Sequence, residues 1–146
     1  MIIREMKMED VPAIAELEKI CFSDPWSADS ISSELNNRLS HWLVAVVDGN
    51  VVGYVGSQSV LDSADMMNIA VAPEYRRMGI ANALVDALVV YLQNNHIRFL
   101  LLEVRVSNEP AFTLYQKLGF EQVGKRPRYY HNPREDALIL RKELSL

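Results

Sequence analysis

One stretch constrains this chain more than any other: residues 68–81 read Asn-Ile-Ala-Val-Ala-Pro-Glu-Tyr-Arg-Arg-Met-Gly-Ile-Ala. A strand pattern from Ala64 to Val71 is closed by Pro73, and a helical one opens at Gly79. Ile80, Leu84, Leu88 and Leu92 then recur every fourth residue through Gln93, the stripe of an amphipathic helix. Arg76, Gly79 and Ala81 form an Arg-x-x-Gly-x-Ala turn at the point where helical N–H groups lack intrahelical partners. Small residues there let a ligand approach the backbone, and the positive dipole end suits a pyrophosphate. Arg76 and Arg77 would add charge to it or stay solvated. A tight strand-to-helix turn needs its glycine with or without an anion, so the spacing alone leaves both readings open. The chain shows neither Gly-x4-Gly-Lys-Ser/Thr nor Gly-x-Gly-x-x-Gly, which disfavours an NTPase or dinucleotide fold.

The rest of the chain reads as one domain of 146 residues, with no repeat and no Gly/Ser linker. Ile2–Met6 is a strand candidate. Val11, Ile14, Leu17 and Ile20 mark a helix that Phe22-Ser23-Asp24-Pro25-Trp26 breaks, and Ser27 caps a short helix from Ala28 to Asn37. His41–Val47 and Val51–Val60 read as strands joined by the Asp48-Gly49-Asn50 hairpin turn, and Ala64–Val71 continues the meander. Phe99–Val106 is a strand. Asn108 caps the next helix, with Pro110 in its first turn and Gly119 at its end. Phe120–Gly124 and Ala137–Arg141 are further strands, and Lys125–Tyr130 reads as a basic, aromatic hairpin loop. Strand, helix, strand in the middle implies one parallel crossover inside a mixed sheet.

Composition narrows the class. Apolar residues make up 49% and charged ones 23%, a globular mix. The net charge of −4 argues against a nucleic-acid footprint. Apolar runs such as Trp42–Val47 fall far short of the ~20 residues that span a bilayer. The lone Cys21 cannot close an internal disulfide and reads as a packing residue, so a cytoplasmic setting is expected. His41, His96 and His131 lack metal-ligand spacing with Cys21, and no metal is expected.

Glu103 sits in a strand, where a carboxylate is out of place unless it is paired, outward-facing or functional. Arg105, two residues along on the same face, is a ready partner. Tyr115 has the spacing of an ordinary packing aromatic, and Asn108 that of a plain N-cap.

The Arg-x-x-Gly-x-Ala turn resembles the acetyl-CoA loop of the GNAT N-acetyltransferases, and the resemblance runs over nearly the whole chain. Asn68-Ile69-Ala70-Val71, Leu102-Glu103-Val104-Arg105-Val106-Ser107-Asn108 and Leu114-Tyr115-Gln116-Lys117-Leu118-Gly119-Phe120 look like the RimI type within it, the ribosomal-protein N-terminal alanine acetyltransferases. Phe22–Trp26, Tyr129-Tyr130 and Arg134–Ala137 add weaker support. Two departures stand out. The second loop glycine is Ala81, and Ser23-Asp24 is inserted in the Phe-Pro-Trp segment.

The resemblance implies a mixed α/β fold with a mainly antiparallel seven-stranded sheet, splayed at the acetyl-CoA site. It implies Glu103 as general base and Tyr115 as the acid that serves the departing thiolate. It places Ile69, Ala70, Val71, Arg76, Arg77, Met78, Gly79, Ile80, Ala81, Asn82 and Asn108 around the cofactor, and Trp26 and Tyr130 at the acceptor. The expected reaction is acetyl transfer from acetyl-CoA to the N-terminal alanine of a small-subunit ribosomal protein. A lysine, polyamine or aminoglycoside acceptor is the alternative, as is a non-catalytic acyl-CoA module. No nucleic-acid or membrane partner is expected, and the sequence does not fix the oligomeric state.

Overall fold

The computed structural model of the chain describes residues 1–131 and 133–144. Seven strands form one sheet: β1 (Ile2–Glu5), β2 (Ser40–Val47), β3 (Asn50–Val60), β4 (Ser63–Val71), β5 (Phe99–Arg105), β6 (Glu121–Tyr130) and β7 (Glu135–Glu143). Their order is β1-β2-β3-β4-β5-β7-β6. Every neighbouring pair is antiparallel except β4 and β5. The four helices are α1 (Val11–Cys21), α2 (Ala28–Glu34), α3 (Ile80–Asn94) and α4 (Glu109–Lys117).

The sheet has a separate core on each face. On one, the α1 stripe of Val11, Ile14, Ala15 and Leu17 packs on Trp42, Val44, Tyr54 and Ala70. On the other, Ile80, Leu84, Val85, Leu88 and Leu92 of α3 meet Leu43, Ala45, Val55, Leu100 and Leu102. A side chain such as Leu84 or Leu88, fully buried, contributes about 1.5–3 kcal/mol. With both faces covered, Val52–Ser57 of β3 is buried without interruption, unlike the alternation of a half-solvated strand. The strands on the far side of β4 are covered differently. Leu100, Leu102 and Val104 of β5 point into the α3 core, so Glu103 and Arg105 point to the opposite face.

The expected parallel crossover is the key to the site. β4 and β5 pair only over Ser63–Asp65 and Phe99–Leu101. Beyond Asp65, β4 runs on to Val71 and β5 to Arg105, so the two strands part and the sheet is splayed. A bulge accompanies the parting. Ser57 pairs with Met66 and Gly56 with Asn68, which leaves Met67 as an extra residue in β4.

Several boundaries differ from the sequence reading. Met6 lies outside β1 and Val106 outside β5. The second helix ends at Glu34, because Leu35, Asn36 and Asn37 donate to carbonyls three residues back and tighten the last turn. Lys125–Tyr130 is not a loop but the second half of β6. Lys125 pairs with Leu138, Arg126 with Ala137 and Tyr130 with Glu135. The strand was hidden because it is an edge with almost every residue exposed, so it carries no apolar alternation. Pro127 and the left-handed Arg128 (φ 56°) fall in the register shift between Arg126 and Tyr130.

Candidate active site

The turn after β4 delivers the chain to α3. Pro73–Tyr75 makes one 3-10 turn, Arg77 is left-handed at φ 64°, and Gly79 is left-handed at φ 78° as the N-cap of α3. The first helical bond is Ala83 N–H to the Gly79 carbonyl, 3.0 Å. The N–H groups of Gly79, Ile80, Ala81 and Asn82 therefore have no intrahelical acceptor. A Cβ on Gly79 would meet no described atom within 4 Å outside its own turn, so the chain is open to solvent at that residue. The side chain of Ile80 is buried beneath them, while Arg77 and Met78 are exposed on the loop. Asn82 turns its amide toward Asp86, 3.3 Å. Arg76 is exposed too, but it folds back along the strand end, donating from Nε to the Val71 carbonyl (3.2 Å) and from Nη2 to Cys21 Sγ (3.5 Å).

The backbone of β4 explains how that turn connects to the gap. Ala72 N–H donates to the Val52 carbonyl at 2.8 Å, toward β3. Antiparallel strands alternate their bonding groups, so Ala70 also faces β3 while Ile69 and Val71 turn their N–H groups to the other side. That side is the opening left by β5. Two sets of backbone donors thus line one continuous path, from the α3 N-terminus to the point where the strands part.

Glu103 lies on β5 two residues past its last pairing with β4. It does not pair with Arg105. Its Oε1 lies 3.3 Å from Arg126 Nε, and, after burial, its charge helps to raise the pKa of the neighbouring Tyr129 phenol. Arg105 is engaged elsewhere, with Glu135 (3.2 Å) and the carbonyls of His131 (3.0 Å) and Pro133 (2.8 Å), its guanidinium 4.5 Å from the centre of the Tyr130 ring. Burial pushes the Tyr130 phenol up to about 12, with the Glu103 carboxylate, Tyr129 and Tyr115 adding to the shift. Burial alone pushes Tyr115, on α4, up to about 12. Tyr115 meets the Phe120 ring edge-on, 5.7 Å between centres. Glu103, Tyr115 and Tyr130, far apart in sequence, are thus electrostatic neighbours at the splay.

Two expected residues have clear structural duties. Asn108 caps α4, its Oδ1 accepting from Ala111 N–H at 3.3 Å. Trp26 stands edge-on to Trp42, 5.5 Å between centres, and its backbone N–H donates to Glu18 Oε1 at 2.8 Å. Sequence reasoning missed Glu18, which is fully buried. A signal existed: Ile14, Leu17 and Glu18 share one helical face, so an acid stands on an apolar stripe.

A gap between parted strands, fed by free amides at a glycine-opened helix, points to an acyl-coenzyme site. The model of the acetyltransferase (GNAT) family matches residues 11–120. The chain belongs to the GNAT acetyltransferase family. A Bacillus subtilis relative named as a putative ribosomal protein bS18-alanine N-acetyltransferase is 42% identical over 139 residues, covering 94% of this chain and 92% of the relative. The ribosomal protein bS18-alanine N-acetyltransferase of Escherichia coli K12 is 34% identical over 146 residues, covering 99% and 98%. The crystal structure of the ribosomal-protein-S18-alanine N-acetyltransferase from Escherichia coli superposes with a TM-score of 0.90 at 33% identity, over 99% of this chain and 94% of that one. This GNAT chain is therefore an acetyltransferase, with the splayed seven-stranded sheet that the sequence resemblance implied. Among the described residues no helix is long and apolar enough to cross a membrane.

Proposed function

We propose that this acetyltransferase acetylates the N-terminal α-amine of a protein, with acetyl-CoA as donor and the N-terminal alanine of a small-subunit ribosomal protein as acceptor. The observation that carries the reading is the placement of Glu103. It is an exposed carboxylate at the mouth of the β4–β5 gap, flanked by Tyr129 and Tyr130. The full-length likeness to enzymes named for bS18 alanine supports the choice of acceptor.

Acetyl-CoA, when bound, supplies an acyl group activated as a thioester. The free N–H groups of residues 79–82 hold its pyrophosphate, with Arg77 beside them. The N–H groups of Ile69 and Val71, turned to the gap, would donate to the thioester carbonyl, while Ala70 holds the strand against β3. Donors fixed in this way stabilise the charge that develops on the carbonyl oxygen without reorganising. Arg76 fixes the strand end through the Val71 carbonyl. Asn108 stands at the start of α4, the helix that carries Tyr115.

The acceptor amine must be neutral to attack. At pH 7 an α-amine with a pKa near 8 is about 10% neutral, whereas a lysine amine at 10.4 is roughly 250-fold less available. This favours an N-terminus over a side chain in the absence of strong pKa tuning. Glu103 takes the amine's proton, through a water. Trp26, edge-on to Trp42, and Tyr130, beside Glu103, are the side chains assigned to the acceptor. Tyr115 keeps its proton throughout the neutral range. Its phenolate would be a far stronger base than a thiolate, whose acid has a pKa of about 8.5. Tyr115 therefore serves the leaving sulfur chiefly as a hydrogen-bond donor. The reaction belongs in the cytoplasm, where ribosomal proteins are made.

Tandem mass spectrometry of an alanine-led peptide incubated with the protein and acetyl-CoA tests the proposal. Acetyl gain at the α-amine is expected. Gain only on side chains, or none, would contradict it.

A further inference from the structure

Glu18 has no part in the chemistry above, yet it is the most completely buried acid in the molecule, at 0% exposure. A carboxylate without water is costly unless hydrogen bonds satisfy it. Glu18 is satisfied by three neutral donors on three different segments. The backbone N–H of Trp26 donates to Oε1 at 2.8 Å, Asn68 Nδ2 donates to Oε2 at 2.6 Å, and the Tyr54 hydroxyl also donates to Oε2. Burial and the neighbouring carboxylate hold the Tyr54 phenol well above its ordinary value, so it remains a donor.

The positions of these donors matter more than their number. Asn68 is the first residue after the Met67 bulge and immediately precedes Ile69, whose N–H faces the gap. Trp26 belongs to the segment between α1 and α2, which the proposed function assigns to the acceptor side. Tyr54 is fully buried on β3 and stacks on Trp42, which in turn meets Trp26. A single side chain on α1 therefore ties the strand that presents the thioester to the segment that presents the acceptor. The pyrophosphate end of the path lies beyond Val71, away from all three bonds.

We infer that Glu18 is a positioning residue for acetyl transfer, holding the Asn68–Val71 strand and the Trp26 segment in mutual register. It touches neither substrate. The inference deepens the reading of the gap as the acyl site and rests on it, but it does not depend on which amine is the acceptor.

The test compares wild type, Glu18→Gln and Asn68→Ala. Each is assayed on whichever of an alanine-led peptide, a lysine peptide and a polyamine the wild type acetylates fastest. Which acceptor wins judges the acceptor reading alone. Glutamine would aim its own N–H groups at donors, and Asn68→Ala removes only the link to β4, so it keeps the test open if Glu18→Gln fails to fold. A positioning role predicts kcat/KM for the acceptor lower by at least about tenfold in both variants. It also predicts that the Kd of acetyl-CoA, by calorimetry, stays within about twofold of wild type. Glu18→Gln/Asn68→Asp, which reverses donor and acceptor at the Asn68 bond but leaves the Tyr54 hydroxyl facing an amide, should recover part of the transfer rate lost in Glu18→Gln. Folded variants with unchanged kcat/KM, or a coenzyme Kd that worsens in step with kcat/KM, would overturn the inference.

Discussion

Glu103 Oε1 lies 3.3 Å from Arg126 Nε, a contact that reaches from β5 past β7 to the edge strand β6. The ion pair links the carboxylate proposed as base to the same edge strand that ends in Tyr129 and Tyr130. It is solvent-accessible, with side-chain exposures of 33% and 56%, and such pairs add at most about 1 kcal/mol to stability. Its value is in aiming the carboxylate. Glu103→Gln should lower kcat by about 10²-fold or more, the usual scale for a lost general base, with the melting temperature nearly unchanged. Steady-state kinetics alongside thermal melts would check this. An unchanged kcat removes Glu103 from the role.

Tyr115→Phe separates packing from chemistry. The ring contact with Phe120 survives and only the hydroxyl is lost. Turnover should fall about tenfold or more, while acetyl-CoA binds as before. Parallel kinetics and calorimetry would detect a purely structural tyrosine as a variant with wild-type kcat.

The pH profile follows from two groups. The acceptor α-amine loses its proton near pH 8, so kcat/KM should rise about tenfold per unit below that value. Burial holds Tyr115 at about 12, so its deprotonation contributes no descending limb below about pH 11. A profile falling between pH 8 and 10 would contradict the assignment of Tyr115 as the donor.

Gly79→Ala tests the helix opening. The residue is left-handed, so a Cβ there costs about 1–2 kcal/mol of folding stability. The added methyl would also stand in open space at the residue that opens the helix. Coenzyme affinity should fall by more than the strain explains, about tenfold, when measured by calorimetry on the folded variant. Unaltered affinity would move the pyrophosphate away from this turn.

Asp10 anchors β1 to the start of α1. Its carboxylate pairs with Arg4 (2.8 Å), accepts from Lys7 N–H (2.7 Å) and is only 4% exposed. The hydrogen bond from Arg4 holds its pKa below the ordinary carboxylate value, so the native state stabilises the charged form. That stabilisation is complete above the unfolded pKa of about 4 and is lost as pH falls through the lower native value. Asp10→Asn should cost about 2–3 kcal/mol at pH 7 and flatten the acid limb of the stability curve, read by urea melts from pH 2 to 7.

Much of this architecture was legible because local signals and tertiary packing agree. The α3 stripe, the Ser27 and Asn108 caps and the Asp48-Gly49 turn each state their structure in a few residues. Asn108 Oδ1 does cap α4, and Asp48 and Gly49 both take the positive φ that a tight hairpin needs. What stayed hidden depends on contacts distant in sequence. The second half of β6 has no apolar period because both of its faces meet solvent. Arg105 looked like a partner for Glu103, two residues away, but His131, Pro133 and Glu135 claim its guanidinium across the β6–β7 connection. The gathering of Glu103, Tyr115 and Tyr130 depends on β4 and β5 parting, which no local pattern encodes. Glu18 announced itself as an acid on an apolar face, but its partners Tyr54 and Asn68 lie 36 and 50 residues away.

The most direct measurement offers the enzyme acetyl-CoA and an equimolar pair of peptides. One carries a free N-terminal alanine and no lysine; the other is blocked at its N-terminus and carries a lysine. Mass spectrometry should find acetyl groups accumulating on the alanine α-amine first and by a wide margin. Preferential labelling of the lysine peptide would contradict N-terminal acetylation as the function of this site.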